Sequence, residues 1–240
     1  WEKTTEINLG LDFGFLNNRI NGSIDIYNKD SKDLLMEMET PFELGSYTGS
    51  IVSNVGKVNN KGIEIQVSAT PFKGDFSWET TLSWSKNNNK ILSLANNQNQ
   101  LANASAGTKW GNVMRNYVGR PMGDMYMLKV IGTFNTEKDL AQYAKNGTQD
   151  IGDLIFEDYN KDGTIDVNDY QLVGNYQPDF TFGWNNTFIY KDFDLAVTID
   201  GQCGGNVIYA AARAFSLNRY DDNVLAESGL GRWKSSTDTG

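Results

Sequence analysis

The chain has 240 residues, a formal net charge of −9 and a mean hydropathy of −0.48. This length allows one large β domain or two smaller domains. The acidic balance disfavours a nucleic-acid partner, whose phosphates need basic groups on the protein. With no His and a single cysteine, Cys203, the chain lacks the residues for Ser-His-Asp or Cys-His catalysis and for an internal disulfide.

Six segments alternate apolar and polar residues with a period of two, the pattern of a strand with one apolar face. Their apolar residues are mostly aromatic or β-branched, which favours a pleated sheet. In chain order the predicted strands are Thr5–Phe15, Ile20–Tyr27, Ile63–Thr70, Phe76–Ser85, Phe180–Tyr190 and Phe193–Asp200.

The connections between these strands are of two kinds. Leu16–Arg19, Pro71–Asp75 and Lys191–Asp192 are short enough for hairpin turns, whereas 28–62, 86–179 and 201 onward are predicted to be long loops. Short turns at one rim and long loops at the other are typical of outer-membrane barrels, with the long loops extracellular. A soluble antiparallel sheet with one hydrated face alternates in the same way, so periodicity alone leaves both folds open and the loop asymmetry favours the barrel.

The segment 86–179 contains two further extended stretches, Met125–Phe134 and Asp153–Glu157, which we predict to pair outside the barrel wall. Residues 135–178 hold nine acidic residues against three lysines, a net charge of −6. We therefore expect 135–178 to form an acidic extracellular loop, for which a cation is the obvious partner.

Residues 158–169 match the spacing of a twelve-residue calcium loop. The expected ligands are the oxygen-bearing residues Asp158, Asn160, Asp162, Thr164 (through its backbone carbonyl), Asp166 and Asp169, with Gly163 at the sharp turn. Hard Ca²⁺ takes oxygen ligands at this spacing. The last position holds Asp where the longer Glu is usual, which weakens bidentate closure. The alternative is a solvated turn, because Asp, Asn and Gly favour turns without metal.

Aromatic residues also occur in the predicted loops. They are Tyr47, Trp110, Tyr126, Tyr143 and Tyr176. Such rings stack on sugars or pack within their own loops, and packing is the expectation here.

An ordered series of motifs runs through almost the whole chain. It comprises Trp1–Thr4, Tyr27 with Lys32–Leu35, Asn54–Ile65, Phe76–Trp78, Asn89–Ile91, Gly119–Gly123, Gly152–Asp153 with Asp158–Asp169, Pro178–Gly183, Asp192–Leu195 and Arg232–Trp233. Asn54–Ile65, which reads NVGKVNNKGIEI, is the most specific of them. In this order the motifs resemble the C-terminal half of a SusC/RagA-type TonB-dependent transporter.

The resemblance implies an all-β fold: an antiparallel transmembrane β-barrel of about 22 strands, with residues 1–240 supplying about six of them. It also implies import of oligosaccharides or peptides across a Bacteroidota-type outer membrane, together with a SusD-like surface lipoprotein. Because the chain opens on Trp1 without a start Met or secretory leader, we expect a fragment. The plug and the segment that contacts the TonB complex would lie outside it.

Two other functions are open from the residues themselves. A soluble, calcium-stabilised β-sandwich that binds carbohydrate would show the same alternation and the same Asp-rich loop. An outer-membrane enzyme would need a nucleophile and a base, and the absence of His makes catalysis the least favoured function. No residue is assigned to substrate binding from the sequence.

Overall fold

The computed structural model describes residues 1–39, 50–94, 100–104, 113–209, 226–231, 233–235 and 237. The chain forms two compact units. Unit 1 comprises Trp1–Asn103, Arg115–Asp124 and Asn175–Asn206, and unit 2 comprises Ala104–Met114, Met125–Gly174 and Val207–Gly240.

Strands dominate the described residues. They are β1 (Lys3–Phe15), β2 (Ile20–Glu39), β3 (Ser50–Phe72), β4 (Phe76–Ser93), β5 (Gln100–Ala104), β6 (Met114–Tyr117), β7 (Asp124–Met127), β8 (Val130–Thr133), β9 (Leu154–Phe156), β10 (Gln171–Asn175), β11 (Phe180–Tyr190) and β12 (Phe193–Cys203). The helices are α1 (Glu137–Gln142), a 3₁₀ turn (Val167–Asp169) and α2 (Ala226–Leu230). None of the helices in these ranges is long and apolar enough to cross a membrane.

The six predicted strands form one antiparallel sheet in the order β1-β2-β3-β4-β11-β12. Its register aligns apolar positions across the whole sheet: Leu11 lies opposite Ile24, Ile65, Trp84 and Phe182 along one row. Since successive residues point to opposite faces, one face is apolar and the other polar. The predicted all-β antiparallel fold is confirmed.

The β1–β2 turn is held by side chains as well as by backbone. Leu16, Asn17 and Asn18 have φ of 55°, 52° and 60°, a left-handed conformation that Asn tolerates better than most residues. The Arg19 guanidinium then donates to the carbonyls of Thr70, at 3.2 Å, and of Pro71. The first two hairpins are thereby joined at their short-turn end.

The prediction of a long loop over 28–62 was wrong. Within that range β2 continues to Glu39 and β3 begins at Ser50, and β4 likewise runs on to Ser93. The described parts of these extensions carry polar residues on both faces, such as Asn28 and Asn60, and their apolar residues Leu34, Val58 and Ile91 pack into a small cluster, so no simple alternation appears. Backbone ladders need no apolar side chains, and the pairing of Asn28 with Lys61 through Glu39 with Ser50 continues the sheet.

The hairpin predicted outside the sheet is confirmed for part of its length, because β8 pairs with β9 in a separate two-stranded sheet. Met125–Met127 instead belongs to β7, in a four-stranded sheet ordered β10-β7-β6-β5. In unit 2 Phe134 is fully buried, and its backbone bonds Gly152 and Asp153 at 2.7 and 2.9 Å. These contacts anchor a small core beside β8 and β9.

Candidate transport surface

The polar face of the six-stranded sheet is the first candidate functional surface of unit 1. Its rows place Ser23, Gln66 and Ser83 side by side, and in the next row Asp25, Glu64 and Ser85. A cleft of about 420 Å³ lies over these two rows. The polar side chains make this face suited to water and to polar solutes.

One glycine allows an aromatic ring to cross this face. Tyr27, Gly62 and Asn87 are neighbours in one row, and a Cβ on Gly62 would meet the Tyr27 ring at 2.3 Å. Because Gly62 has no side chain, the ring crosses β3, and its hydroxyl hydrogen-bonds the Asn87 side-chain oxygen at 3.1 Å. Three strands are thus linked by one side chain.

A cluster of side-chain amides continues from this crossing. The Asn60 oxygen accepts hydrogen bonds from the amides of Asn87 and Asn89, at 3.3 and 2.9 Å. The Asn89 oxygen in turn accepts from the backbone N–H of Met122, at 2.9 Å. The amides therefore fix the turn at Gly119–Gly123 to the long-connection end of the polar face.

The same turn is held from its other side by a buried carboxylate. Asp124 is 1% exposed, pairs with the Arg120 guanidinium and accepts from the Asn175 amide at 2.9 Å. Tyr176 lies against Gly123, whose φ of +82° favours glycine and where a Cβ would meet the ring at 1.9 Å. These contacts bring the Gly119–Gly123 motif against Asn175 and Tyr176, which lie about 50 residues later in the sequence.

These groups enclose a pocket of about 350 Å³. Its lining includes Asn60, Asn87, Asn89, Tyr176, Gln177 and Phe180. Amides both donate and accept hydrogen bonds, and the Tyr176 ring is 50% exposed. The pocket can therefore hold a neutral polar ligand such as a sugar or a peptide backbone.

The sequence alone does not predict this pocket. The available signal was the run Asn87-Asn88-Asn89, in which strand alternation places the first and third residues on the polar face. Of the predicted loop aromatics, Tyr47 and Trp110 lie outside the described residues. Tyr176 combines packing against Gly123 with half exposure, so both interpretations of that ring apply.

The opposite face is apolar and uncovered among the described residues. Leu9 is 74% exposed and Leu195 59%. Near the short turns, Trp78 and Phe188 stack with ring centroids 5.8 Å apart, and Phe76 stacks on Phe188 at 6.5 Å. An apolar belt edged by aromatic rings suits the hydrocarbon and interface of a bilayer.

The predicted calcium loop is closed by backbone hydrogen bonds to its own carboxylates. Asp158 accepts from Gly163 N–H at 2.9 Å, and Asp162 accepts from Thr164 N–H at 2.8 Å. Asp169, which is fully buried, accepts from the N–H groups of Tyr159, Asn160 and Asp166.

The donor chemistry of this loop is all oxygen, as calcium requires. In the described part of the chain, however, no three His, Cys, Asp or Glu side chains converge closely enough to hold a metal. The carboxylates instead serve the Asx turns of the alternative interpretation. Calcium binding by Asp158, Asn160, Asp162, Thr164, Asp166 and Asp169 stays a prediction.

The acidic segment also contains two carboxyls with lowered pKa. The backbone N–H of Asn135, followed by the groups of Thr136, lowers the pKa of Asp139, which closes a capping box at the start of α1. The Lys129 ammonium, 2.8 Å away, and then the Gln171 amide lower the pKa of Glu157. Both carboxylates are therefore bound by local donors in their charged form.

Comparison with known proteins agrees with this geometry. The family described as "TonB dependent receptor-like, beta-barrel" matches residues 1–198. A TonB-dependent receptor of Formosa agariphila is 30% identical over 230 residues, covering 95% of this chain. The TonB-dependent receptor SusC of Bacteroides thetaiotaomicron is 29% identical over 246 residues, covering 96% of this chain. The chain spans only 23% of the length of each of these two relatives.

Solved structures show the same fold. The RagAB peptide importer in its open-open state superposes with a TM-score of 0.71 at 20% identity, over 91% of this chain and 22% of that one. A second RagAB peptide transporter structure gives a TM-score of 0.65 at 19% identity, over 83% of this chain and 20% of that one.

Proposed function

The chain belongs to the TonB-dependent receptor β-barrel family, whose barrels lie in the Gram-negative outer membrane, and from this we propose that it forms part of the wall of a nutrient importer. The observation that carries the proposal is the two-faced sheet. One face offers apolar rows to lipid, and the other offers polar rows and the amide pocket to an aqueous lumen. Catalysis has no part in this function.

We assign oligosaccharides or peptides as the cargo class. The amide pocket supports this choice, because sugar hydroxyls and peptide groups both pair with side-chain amides that donate and accept. The half-exposed Tyr176 adds an aromatic surface of the kind that stacks on sugar rings. The similar solved structure, RagAB, is described as a peptide importer, which agrees with a peptide cargo.

A SusD-like surface lipoprotein is the proposed partner on the extracellular side. Support comes from the likeness to SusC and to RagAB. The acidic loop 135–178 belongs to the long connection between β4 and β11, and we propose it as an extracellular element on that ground. Contact with the TonB complex is assigned to a part of the protein outside these 240 residues.

The rival function, a soluble carbohydrate-binding sandwich, fits the geometry poorly. In a sandwich the apolar rows of one sheet face a second sheet about 10 Å away. Here Leu9 and Leu195 remain exposed in the described structure, and the family match covers five strands of the sheet in full and β12 as far as residue 198. A membrane, and not a second sheet, accounts for that surface.

The test uses the full-length protein in its source bacterium. Deletion of its gene should abolish growth on one glycan or peptide mixture, and the wild-type gene should restore growth only when TonB is active. Asn87→Ala and Tyr176→Ala should lower the uptake rate, whereas Asn88→Ala, on the opposite face of the same strand, should not. Recovery of the protein in the soluble fraction, or equal effects of Asn87→Ala and Asn88→Ala, would contradict the proposal.

Purification supplies a second test. A surface lipoprotein should be recovered with the full-length protein after detergent extraction of the outer membrane. Recovery of the transporter without any lipoprotein would remove the proposed partner while leaving the import function in place.

A further inference from the structure

Lysines border the apolar belt on its long-connection side. Strand alternation continues the outward-facing row of β4 from Trp84 to Lys86 and Lys90, and that of β3 from Ile63 to Lys61. Lys86 lies opposite Ile63, and Lys61 lies opposite Asn88. Basic side chains thus follow directly on Trp84 in β4 and on Ile63 in β3.

The same band extends across the neighbouring strands. The next outward-facing row beyond Lys90, further from the belt, places Lys3 opposite Lys32 and Lys32 opposite Lys57. We call these six residues (Lys3, Lys32, Lys57, Lys61, Lys86 and Lys90) the lysine band. On the outward face beside them, Asp30 pairs with Lys57 at 3.6 Å and accepts from the Asn59 amide at 2.7 Å.

The charge of the band contrasts with the rest of the chain. Six lysines against Asp30 give the band a net charge of +5, although the whole chain carries −9. Lys61, Lys86 and Lys90 are exposed and form no salt bridge within the described residues. Their charges are therefore available to an external anion.

A cleft joins the lysines to the apolar belt. It has a volume of about 590 Å³, and its walls include Ile7, Leu9, Ile26 and Ile63 together with Lys61 and Lys86. An apolar floor with basic groups at one end matches a lipid, whose acyl chains are apolar and whose headgroup is charged. A free anion would use only the lysines.

We propose that the lysine band binds the phosphorylated headgroup of an outer-leaflet glycolipid whose acyl chains lie on the apolar rows below. This assignment rests on the proposed function, since it requires the strands to span the outer membrane with their long connections outside. Lysine stems lie along apolar surface while their ammonium groups reach the interface. Basic residues beside an anionic membrane surface each strengthen binding about fivefold.

The experiment compares three variants of the full-length protein in neutral detergent. The test variant carries Lys61→Gln, Lys86→Gln and Lys90→Gln. The control carries the same charge change at exposed lysines elsewhere: Lys73→Gln, Lys138→Gln and Lys191→Gln. A third variant with Arg at 61, 86 and 90 keeps the charge. Native mass spectrometry measures binding of lipid A and of phosphatase-treated lipid A.

The test variant should bind phosphorylated lipid A about a hundredfold more weakly than the wild type, on the same constants. The control and the Arg variant should stay within about twofold of the wild type. Phosphatase-treated lipid A should bind all four proteins alike. Equal losses in test and control variants, or equal wild-type affinity for both lipid A forms, would overturn the proposal.

Two further measurements distinguish a lipid site from a simple anion site and from a cargo site. Inorganic phosphate in excess should not displace the lipid, and displacement would show a simple anion site instead. Cargo uptake should be the same in the test variant and the wild type, and a loss of uptake would assign the lysines to the cargo. A wild-type protein that binds phosphorylated lipid A without importing any cargo would refute the proposed function while leaving the lipid assignment intact.

Discussion

A charge placed at the middle of the apolar belt tests whether the outward face meets lipid. On β1 the outward apolar residues are Ile7, Leu9, Leu11, Phe13 and Phe15, so Leu11 lies at the centre of the row and Ile7 at its long-connection end. Leu11 lies four residue steps along the strand from Ile7, a distance of about 13 Å. With a strand tilt of about 40°, this corresponds to about 10 Å along the membrane normal.

Leu11→Arg is therefore expected to lower the free energy of unfolding by about 2–4 kcal/mol, the cost of Arg at the bilayer midplane. Ile7→Arg, the same change near the interface, should cost about 0–1 kcal/mol. A difference of about 2 kcal/mol changes the ratio of folded to unfolded protein about 30-fold. Both side chains are more than half exposed, at 62% and 71%, so loss of internal packing contributes little.

The assay is urea unfolding of the full-length protein in lipid vesicles, followed by the mobility of the folded band on a gel. On a water-exposed sheet both substitutions would fall within about 0.5 kcal/mol of the wild type. Equal unfolding midpoints for the two variants would refute the assignment of this face to lipid.

Three further predictions concern single features of the two units. Gly62→Ala should destabilise the protein by about 1–3 kcal/mol, because the new methyl overlaps the Tyr27 ring. The control Gly74→Ala places its methyl in open space and should be nearly neutral. Equal unfolding midpoints for the two variants would contradict the predicted overlap. The lowered pKa of Asp139 means that its capping of α1 is complete above the carboxyl's unfolded pKa, about 3.9, and is lost as pH falls through the lower folded pKa. Hydrogen exchange of residues 137–142 should therefore show α1 opening progressively as the pH is lowered below about 3.9, with no opening at pH 5, whereas Asp139→Asn should remove this pH dependence. Calcium titration by calorimetry should show binding to the wild type that Asp162→Asn abolishes and Asp150→Asn, outside the loop, retains; no heat of binding in the wild type would favour the solvated turn.

The strands of the spanning sheet were predictable because their two faces meet different surroundings. Alternation marked all six, and β11 was predicted with the bounds that the structure has. The extensions of β2, β3 and β4 were not predictable in the same way. Residues such as Asn28 and Asn60 are polar and lie on opposite faces, so the alternation vanishes although the backbone pairing continues.

The candidate pocket shows a second limit of the sequence. Asn89, Met122 and Tyr176 carry no joint signal, since 33 residues separate the first two and Tyr176 lies far beyond both. Their assembly depends on the return of the chain across the polar face, where hydrogen bonds of Asn89 and Asn175 hold the turn at Gly119–Gly123.

The amino-acid sequence alone determined the strands, each with one apolar and one polar face, and the short turns at one end. It also determined the family, through an ordered set of motifs. Local patterns suffice for this because each side chain's face follows from its position along a strand. The tertiary structure alone decided which rows meet. It joined the amides of Asn60, Asn87 and Asn89 into one cluster and aligned the lysines of four strands into one band, because register between strands depends on pairing over long sequence separations.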